Sequence, residues 1–424
     1  MSDASQRRVL EDAFAAAVAR CQADESMRGY LPDPPANGRL LILGAGKATA
    51  RMAEVAEAHY RERFPDAAIS GLVAIPDGEP ATLELIDVRR TSHPLPDDRS
   101  VDAASRMLAL ADGATAADRV VVLISGGASA LLAAPVDGVS LADKRHVTEA
   151  LFAAGAPIDD LNTVRKFLSA IKGGRLAHAC APAPVTTLAI SDVIGDDPGV
   201  IGSGPTVPSR VSADDVQRLL THYGIAPPET VRRRLAAAPA ALDGPWPDLD
   251  YRIVARPIDA LRAAATLAED RGYRTEILGD DIQGEAGVEA ARMAKLCASN
   301  GGRKLALLSG GEVTVTFQRG GQSGYGGPNR EFALALAISL QAARRVAALV
   351  ADTDGIDGQS GQHGPVAGAI VSAGTVARAA ENGLDARNYL SAHDSGSFFE
   401  RIGDEVITGP TRTNVNDFRM ILIN

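Results

Sequence analysis

A chain of 424 residues is longer than one hydrophobic core usually supports, so two domains are expected, with enough interior for deep, desolvated pockets. A formal net charge of −10 with no long basic run excludes a protein that tracks a nucleic-acid backbone or lies on an anionic membrane, yet leaves room for small anions held by a local cluster of donors. Cys21, Cys180 and Cys297 supply neither a disulfide framework nor a metal spacing, and neither an apolar leader nor an 18-residue apolar stretch occurs, so a soluble chain in a reducing cytoplasm is expected.

In chain order, Leu10, Phe14 and Val18 share one helical face, the apolar run 40–43 stops at Gly44 as a strand does, and helical spacing resumes after Gly46 through Met52, Val55 and Ala56. Strands are predicted at 69–75 and 85–90 and a helix at 101–110. The run 119–124 comes next, so uniformly Val and Ile that it suits a sheet covered on both faces, and it ends in Ser125-Gly126-Gly127. Helices at 141–153 and 159–171, a strand at 185–190 running into Ser191 and Asp192, and a glycine- and proline-rich loop at 195–208 complete this series. The stretch 214–249 is alanine- and proline-rich with modest helical periodicity, and its later part reads as the approach to a domain boundary, placing the domains at 1–240 and 241–424.

A second series then runs through a strand at 251–254, a helix at 258–268, strands and helices at 274–278, 285–296 and 304–308, and a second Ser-Gly-Gly at Ser309, Gly310 and Gly311. An edge strand or hairpin partner is expected at 312–317, a glycine-rich loop at 320–327, a helix at 329–343, a strand at 346–351, and a terminal strand at 418–423. The matching strand ends raise an internal repeat, against coincidence in a glycine-rich chain.

The segment LILGAGKAT, with Gly44 and Gly46, sits where a strand feeds a helix and is expected to turn its amides toward an anion. It is not a Walker A loop, since Leu41 stands where a glycine is needed, and it is a poor dinucleotide fingerprint, since Thr49 takes the third glycine position. Lys47 falls in the first helical turn, where the helix dipole disfavours a cation unless an anion binds; the alternative is a solvated surface lysine. Ser125, Gly126, Gly127 and Ser129 form a backbone nest for carboxylate or phosphate or, equally, a tight packing turn; they lack the glycine ahead of the serine that a nucleophile elbow needs. Asn162, Arg165, Lys166, Lys172 and Arg175 are the densest positive cluster, either a grip on a dianion or a solvated face with capping cations. Asp192, Asp196 and Asp197, and likewise Asp352, Asp354 and Asp357, lie just past strand ends, where carboxylates can hold Mg²⁺ against phosphates. His93, His363 and His393 share no metal-ligand spacing and read as loop residues.

Together LILGAGKAT, SGGASALL, NTVRKFLSAIKGGRLA, ISDVIGDD, IGSGPT, LLSGGEVTV, GGPNREFALALA, DTDGIDG and TGPTRTNVNDF resemble the glycerate 2-kinase family, whose C-terminal part is called the MOFRL domain, over nearly the whole chain. The resemblance implies an α/β protein with a larger Rossmann-like domain of parallel sheet and a smaller MOFRL-type α/β domain, an active site in the interdomain cleft, ATP and Mg²⁺ as cofactors, and conversion of glycerate to 2-phosphoglycerate. It leaves a homodimer open. The family's catalytic lysine falls on Lys47. Its arginine is displaced: Pro328 stands at the usual place and Arg330 two residues later, with Arg319 or Arg165 as substitutes, and Arg412 stands where glycine is usual. On this basis Lys47, Arg330 and Asp192 are expected to be catalytic, Asp192 with Asp354 to hold Mg²⁺ or orient the hydroxyl, and Gly310, Gly311, Glu312, Asn329, Asn414 and Asn416 to join the phosphate and substrate contacts. The alternatives are an NAD(P)H-dependent hydroxypyruvate reductase, the label family members long carried, and a non-catalytic hydroxy-acid binding module.

Overall fold

The computed structural model describes residues 3–237, 242, 244–300, 304–317, 324–340, 345–359 and 364–424. The expected boundary at 240/241, Arg319, most of the loop opening at 320, the end of the helix expected at 329–343, and His363 lie outside, or partly outside, these residues.

The chain divides into two compact units, 26–254 and 1–25 with 255–424. This corrects the expected partition at both ends. The N-terminal helix Asp3–Cys21 buries Leu10, Ala13, Phe14 and Ala17, and its Phe14 ring lies 5.4 Å from that of Phe418, so its apolar face belongs to the C-terminal unit. Hydrogen bonds from Gln22 Nε2 to the Thr411 carbonyl (2.9 Å) and from Thr413 Oγ1 to the Cys21 carbonyl (2.7 Å) fix its end there. At the other boundary, the strand expected to open the second series instead closes the first sheet.

In the 26–254 unit, β1 (Arg39–Ala45), β2 (Ala68–Pro76), β3 (Ile86–Thr91), β4 (Arg119–Ile124), β5 (Val185–Ile190) and β6 (Leu249–Ala255) form one sheet in the order β3-β2-β1-β4-β5-β6. The pairings among the first five are parallel. Every residue of β4 after Arg119 is buried, as a centrally placed strand covered by helices requires. The helix Asp98–Asp112 begins on a capping box between Asp97 and Ser100 and buries Ala103, Ala104, Met107 and Ala111, one stripe at helical spacing. Helices Ala213–His222 and Glu229–Ala236, in the alanine- and proline-rich stretch, bury Val216, Leu220, Val231 and Leu235 in a satellite core.

The other unit carries a six-stranded sheet in the order β13-β12-β11-β14-β9-β7, from β7 (Arg274–Ile277), β9 (Leu305–Ser309), β11 (Val346–Asp352), β12 (Gly368–Ser372), β13 (Glu405–Val406) and β14 (Asp417–Ile423), with β8 (Ile282–Glu285) and β10 (Gly311–Thr314) paired separately. Only β7 with β9 is parallel within the six; β9, β14, β11, β12 and β13 pair antiparallel. The chain's last strand is therefore central, and its seven buried residues reflect that place. The repeat raised by the two Ser-Gly-Gly segments does not extend to the folds: the first five strands of one sheet pair in parallel, whereas the other sheet is mixed.

Candidate functional site

Between β1 and β4 the strand order reverses, and connections leaving carboxyl ends on either side of such a point diverge to leave a crevice. The turn after β1 is laced to the turn after β4. Gly46 N donates to the Ala74 carbonyl (3.3 Å), Lys47 N to the Gly126 carbonyl (2.8 Å), Ala48 N to Ser125 Oγ (3.0 Å) and Thr49 N to the Gly46 carbonyl (3.3 Å). The amides around Gly46, expected to cradle an anion, are spent on protein acceptors in this structure. Ser125 is fully buried, with its hydroxyl between Ala48 N and Thr49 Oγ1, and it locks the turn.

The amides of Gly126 and Gly127, by contrast, donate to no protein acceptor among the described residues. Gly127 is left-handed (φ 84°, ψ −14°), and a Cβ placed on it would lie 3.4 Å from Cγ of Lys47 and 3.0 Å from Cδ2 of His93. A Cβ on Gly126 would fall 1.8 Å from Oδ2 of Asp192. Glycine at 126 thus lets the Asp192 carboxylate close on the turn, and Lys47, His93, Gly126, Gly127 and Asp192 gather at one crest.

Beside that crest lies a cavity of about 260 Å³ lined by His93, Gly127, Ser129, Lys144, Arg165 and Lys172 among others, with no Asp or Glu in its wall. Lys172 is completely buried, and its ammonium donates to the carbonyls of Ser129 (2.8 Å) and Leu132 (2.9 Å). Burial first, then the charges of Lys144 and Arg165, holds its pKa well below the usual lysine range. Arg165, pushed down by burial alone, has no acidic partner among the described residues. Beneath the cavity Ser129 Oγ meets Ser203 Oγ (2.7 Å), which donates to Asn162 Oδ1 (3.3 Å).

The basic cluster read from sequence therefore divides. Arg165 and Lys172 face the cavity and Asn162 supports it. Lys166 turns elsewhere, its Nζ 3.6 Å from where a Cβ on Gly199 would sit, with Asp197 and Asp159 partly offsetting the burial that lowers its pKa. Arg175 Nη1 caps the carbonyls of Lys166 and Lys172, both at 3.0 Å. Sequence reading missed His93, Lys144, Arg145 and Thr148. A signal for Lys144 existed: it lies three and seven residues before Val147 and Leu151, placing a lysine on the buried face of the helix Leu141–Ala153.

Most of the residues expected from the C-terminal unit are engaged in buried polar contacts. Arg330 is fully buried; its Nε and its own amide reach Asp357 Oδ2 (3.1 and 2.9 Å), and Nη2 donates to the carbonyls of Asp357 (2.6 Å) and Gln359 (2.8 Å). Its guanidinium also lies 4.9 Å from the Tyr325 ring centroid. Expected to be catalytic, Arg330 has its Nε and Nη2 committed to protein acceptors here instead of held out as a fork for phosphate. Asn329 Nδ2 donates to Asp417 Oδ1 (2.6 Å), while Asp417 also accepts from Val313 N (2.9 Å) and Arg419. Burial pushes both Asp357 and Asp417 up despite these partners. Gly310 spends its amide on the Gly279 carbonyl (2.9 Å) and its carbonyl on Arg419 Nη1 (2.8 Å), and Gly311 enters β10, so neither cradles an anion. Glu312 is exposed on β10. Asp354 closes a turn, its Oδ1 accepting from Ile356 N (2.8 Å), and Asn414 Oδ1 accepts from Asn416 N (3.1 Å). Among the described residues no group of three or more His, Cys, Asp or Glu side chains is arranged to cage a metal, and no helix is long and apolar enough to cross a membrane.

Residues 9–236 match the model of a domain of unknown function, DUF4147, and residues 305–417 match the MOFRL family. Over the whole chain and 95% of its partner the sequence is 44% identical to an Agrobacterium vitis protein provisionally named a hydroxypyruvate reductase. It is 34% identical to the D-glycerate 2-kinase of Thermotoga maritima, covering 91% of each chain. A crystal structure of a Thermotoga maritima glycerate kinase superposes with a TM-score of 0.88 at 31% identity, covering 99% of this chain and all of the other.

Proposed function

The chain belongs to the glycerate kinase family built from DUF4147 and MOFRL regions, and on that premise we propose that it transfers the terminal phosphoryl group of ATP to the 2-hydroxyl of D-glycerate. The observation that carries this reading is the crest of the 26–254 unit, where two unspent glycine amides and Lys47 adjoin a cation-lined cavity without an acidic wall. Such a surface suits a substrate that brings a carboxylate and a cofactor that brings phosphates.

Phosphoryl transfer asks the protein mainly for position and for charge that meets charge. Lys47 sits just ahead of the helix Thr49–Arg63, at the crest beside Gly127, and we assign it to the transferring phosphoryl group or the substrate carboxylate. Gly126 and Gly127 donate their amides to an oxyanion, while Arg165 and Lys172 hold a second negative group. Asp192, closed against Gly126, orients the attacking hydroxyl or shares in holding Mg²⁺, which keeps several waters and needs few protein oxygens. Bound there, Mg²⁺ would neutralise charge on the phosphates. Three buried free cysteines, Cys21, Cys180 and Cys297, fit a reducing cytoplasm.

The reductase reading draws on the name of the Agrobacterium relative. Against it, the turn after β1 has its amides spent, and Asp77, just past β2, has both carboxylate oxygens held by Arg99 at 2.8 and 2.7 Å. ADP release with D-glycerate, ATP and Mg²⁺, set beside NADH oxidation with hydroxypyruvate, decides between them. Glycerate-dependent ADP release with steady NADH absorbance is expected; folded protein that releases no ADP above background would remove the kinase reading.

A further inference from the structure

Lys144 is a cavity-lining group of the 26–254 unit whose place the kinase chemistry leaves unexplained. It lies on the helix Leu141–Ala153, is 6% exposed, and lines the cavity, yet its Nζ is buried without a hydrogen-bond partner. A buried ammonium with no acceptor is among the costlier arrangements a fold can hold, and Lys144 sits on a face shared with Val147 and Leu151, where an aliphatic residue would pack at no such cost. The groups around it deepen the cost. Arg165 faces it from the helix Ile158–Phe167, Lys172 and Arg175 from the segment after that helix, His93 from the segment after β3, and Arg145 from its own helix. The nearest acid along its own helix, Asp143, is committed to the Ser140 cap, accepting from both the amide and the hydroxyl.

We propose that the cavity walled by Lys144, Arg165 and Lys172 is the seat of a small oxyanion, a carboxylate or phosphoryl group of the substrate or nucleotide, and that the Lys144 ammonium binds it directly. An anion there gives Nζ its missing acceptor and offsets the repulsion that the neighbouring cationic groups impose on a protonated Lys144. It also sets the proton balance. Burial, followed by the charges of Arg165 and Arg175, pulls Lys144 down to about 7, so in the empty cavity at pH 8 the amine is largely neutral. An arriving oxyanion favours the ammonium, and one proton passes from solvent to Nζ as the anion seats. Binding should therefore take up protons above neutral pH.

This rests on the kinase reading for the identity of the ligand but not for the existence of the seat, and calorimetric titration of the full chain separates the two. D-glycerate and Mg²⁺ with a non-hydrolysable ATP analogue are titrated separately at pH 8 in two buffers of different ionisation enthalpy. For the ligand whose oxyanion seats there, the parent should take up a sizeable fraction of a proton. Lys144→Met should weaken that ligand at least about tenfold and abolish the uptake, while the other ligand binds as before. Lys144→Arg should keep most of the affinity but lose the uptake, because a guanidinium stays charged. An effect on glycerate identifies a carboxylate, an effect on the analogue a phosphoryl group. Parent-like affinity and uptake for both ligands in Lys144→Met, or no proton uptake by the parent with either, would overturn the proposal. Proton-linked glycerate binding without ADP release would sink the kinase reading and leave the seat standing.

Discussion

Ser125-Gly126-Gly127 and Ser309-Gly310-Gly311 are the same three residues at the end of the same kind of apolar strand, and the protein uses them oppositely. The first leads through a left-handed Gly127 into the short helix Ala128–Leu131, leaving two glycine amides unspent beside a cavity walled by cations. The second leads into β10, with the Gly310 amide held by the Gly279 carbonyl and the Gly310 carbonyl by Arg419, and with Asp417 bonded to Asn329 and Arg419 in a buried lattice. The residues immediately C-terminal to the tripeptide decide between these fates: helix-forming Ala128, Ala130 and Leu131 in one, alternating Glu312-Val313-Thr314 in the other. Polar residues beside glycines look alike in sequence whether the glycine amides stay open, as at Gly126 and Gly127, or are closed onto the protein, as at Gly310.

The comparison breaks first at Arg330. Replacing it by alanine strands Asp357 without its ion pair in a dry interior, and loss of one buried partner typically costs about 3–5 kcal/mol, so Arg330→Ala should lower the denaturation midpoint strongly. An Arg330→Ala protein as stable as the parent, but inactive, would return the residue to catalysis.

The two central glycines sharpen the contrast. A Cβ at Gly311 would meet the Ile282 carbonyl oxygen at 2.1 Å with φ at +113°, a backbone clash and a strained conformation together, and overpacking of this kind costs about 1–3 kcal/mol or more. A Cβ at Gly126 meets the Asp192 carboxylate instead, a side chain that can rotate away. Gly311→Ala should therefore destabilise more, and Gly126→Ala should lose more activity per unit of stability. Equal melting curves together with equal activities would erase the distinction.

A further contrast is a pH slope. Lys144 is depressed in the folded chain, so between about 7 and the unfolded lysine value near about 10.4 the unfolded chain binds more protons, and stability rises with pH in that window. Below about 7 the folded chain bears the cost of the buried charge. Lys144→Met lacks that cost; without ligand it should be more stable than the parent at pH 6, with the advantage shrinking toward pH 10. An advantage independent of pH would show that Lys144 is not the titrating group.

Much of this is legible in the residues alone. The Val and Ile run of β4, the glycine stops after β1 and β4, and the basic run at 162–175 point to the first sheet and half of the cavity, because burial on both faces and charge density are written locally. Arg330 and Asn329 mislead because adjacency to glycines looks alike whether a polar group meets a ligand or a buried aspartate; only the partners, Asp357 and Asp417, distant in sequence, distinguish the cases. The N-terminal helix reads into the wrong unit for the same reason, since Phe14 finds its partner at Phe418. Lys144 is visible as a lysine on an apolar stripe, and its meaning comes only with Arg165 and Lys172 beside it.

The central claim, that the β1/β4 crest carries the chemistry, is tested most directly by kcat for glycerate-dependent ADP release in Lys47→Ala at saturating ATP, Mg²⁺ and D-glycerate. Removing a preorganised donor aimed at developing charge costs about 3 kcal/mol, so kcat should fall by roughly 100-fold with KM moving less, while stability changes by less than about 0.5 kcal/mol. A parental kcat and KM from a folded Lys47→Ala protein would contradict the account.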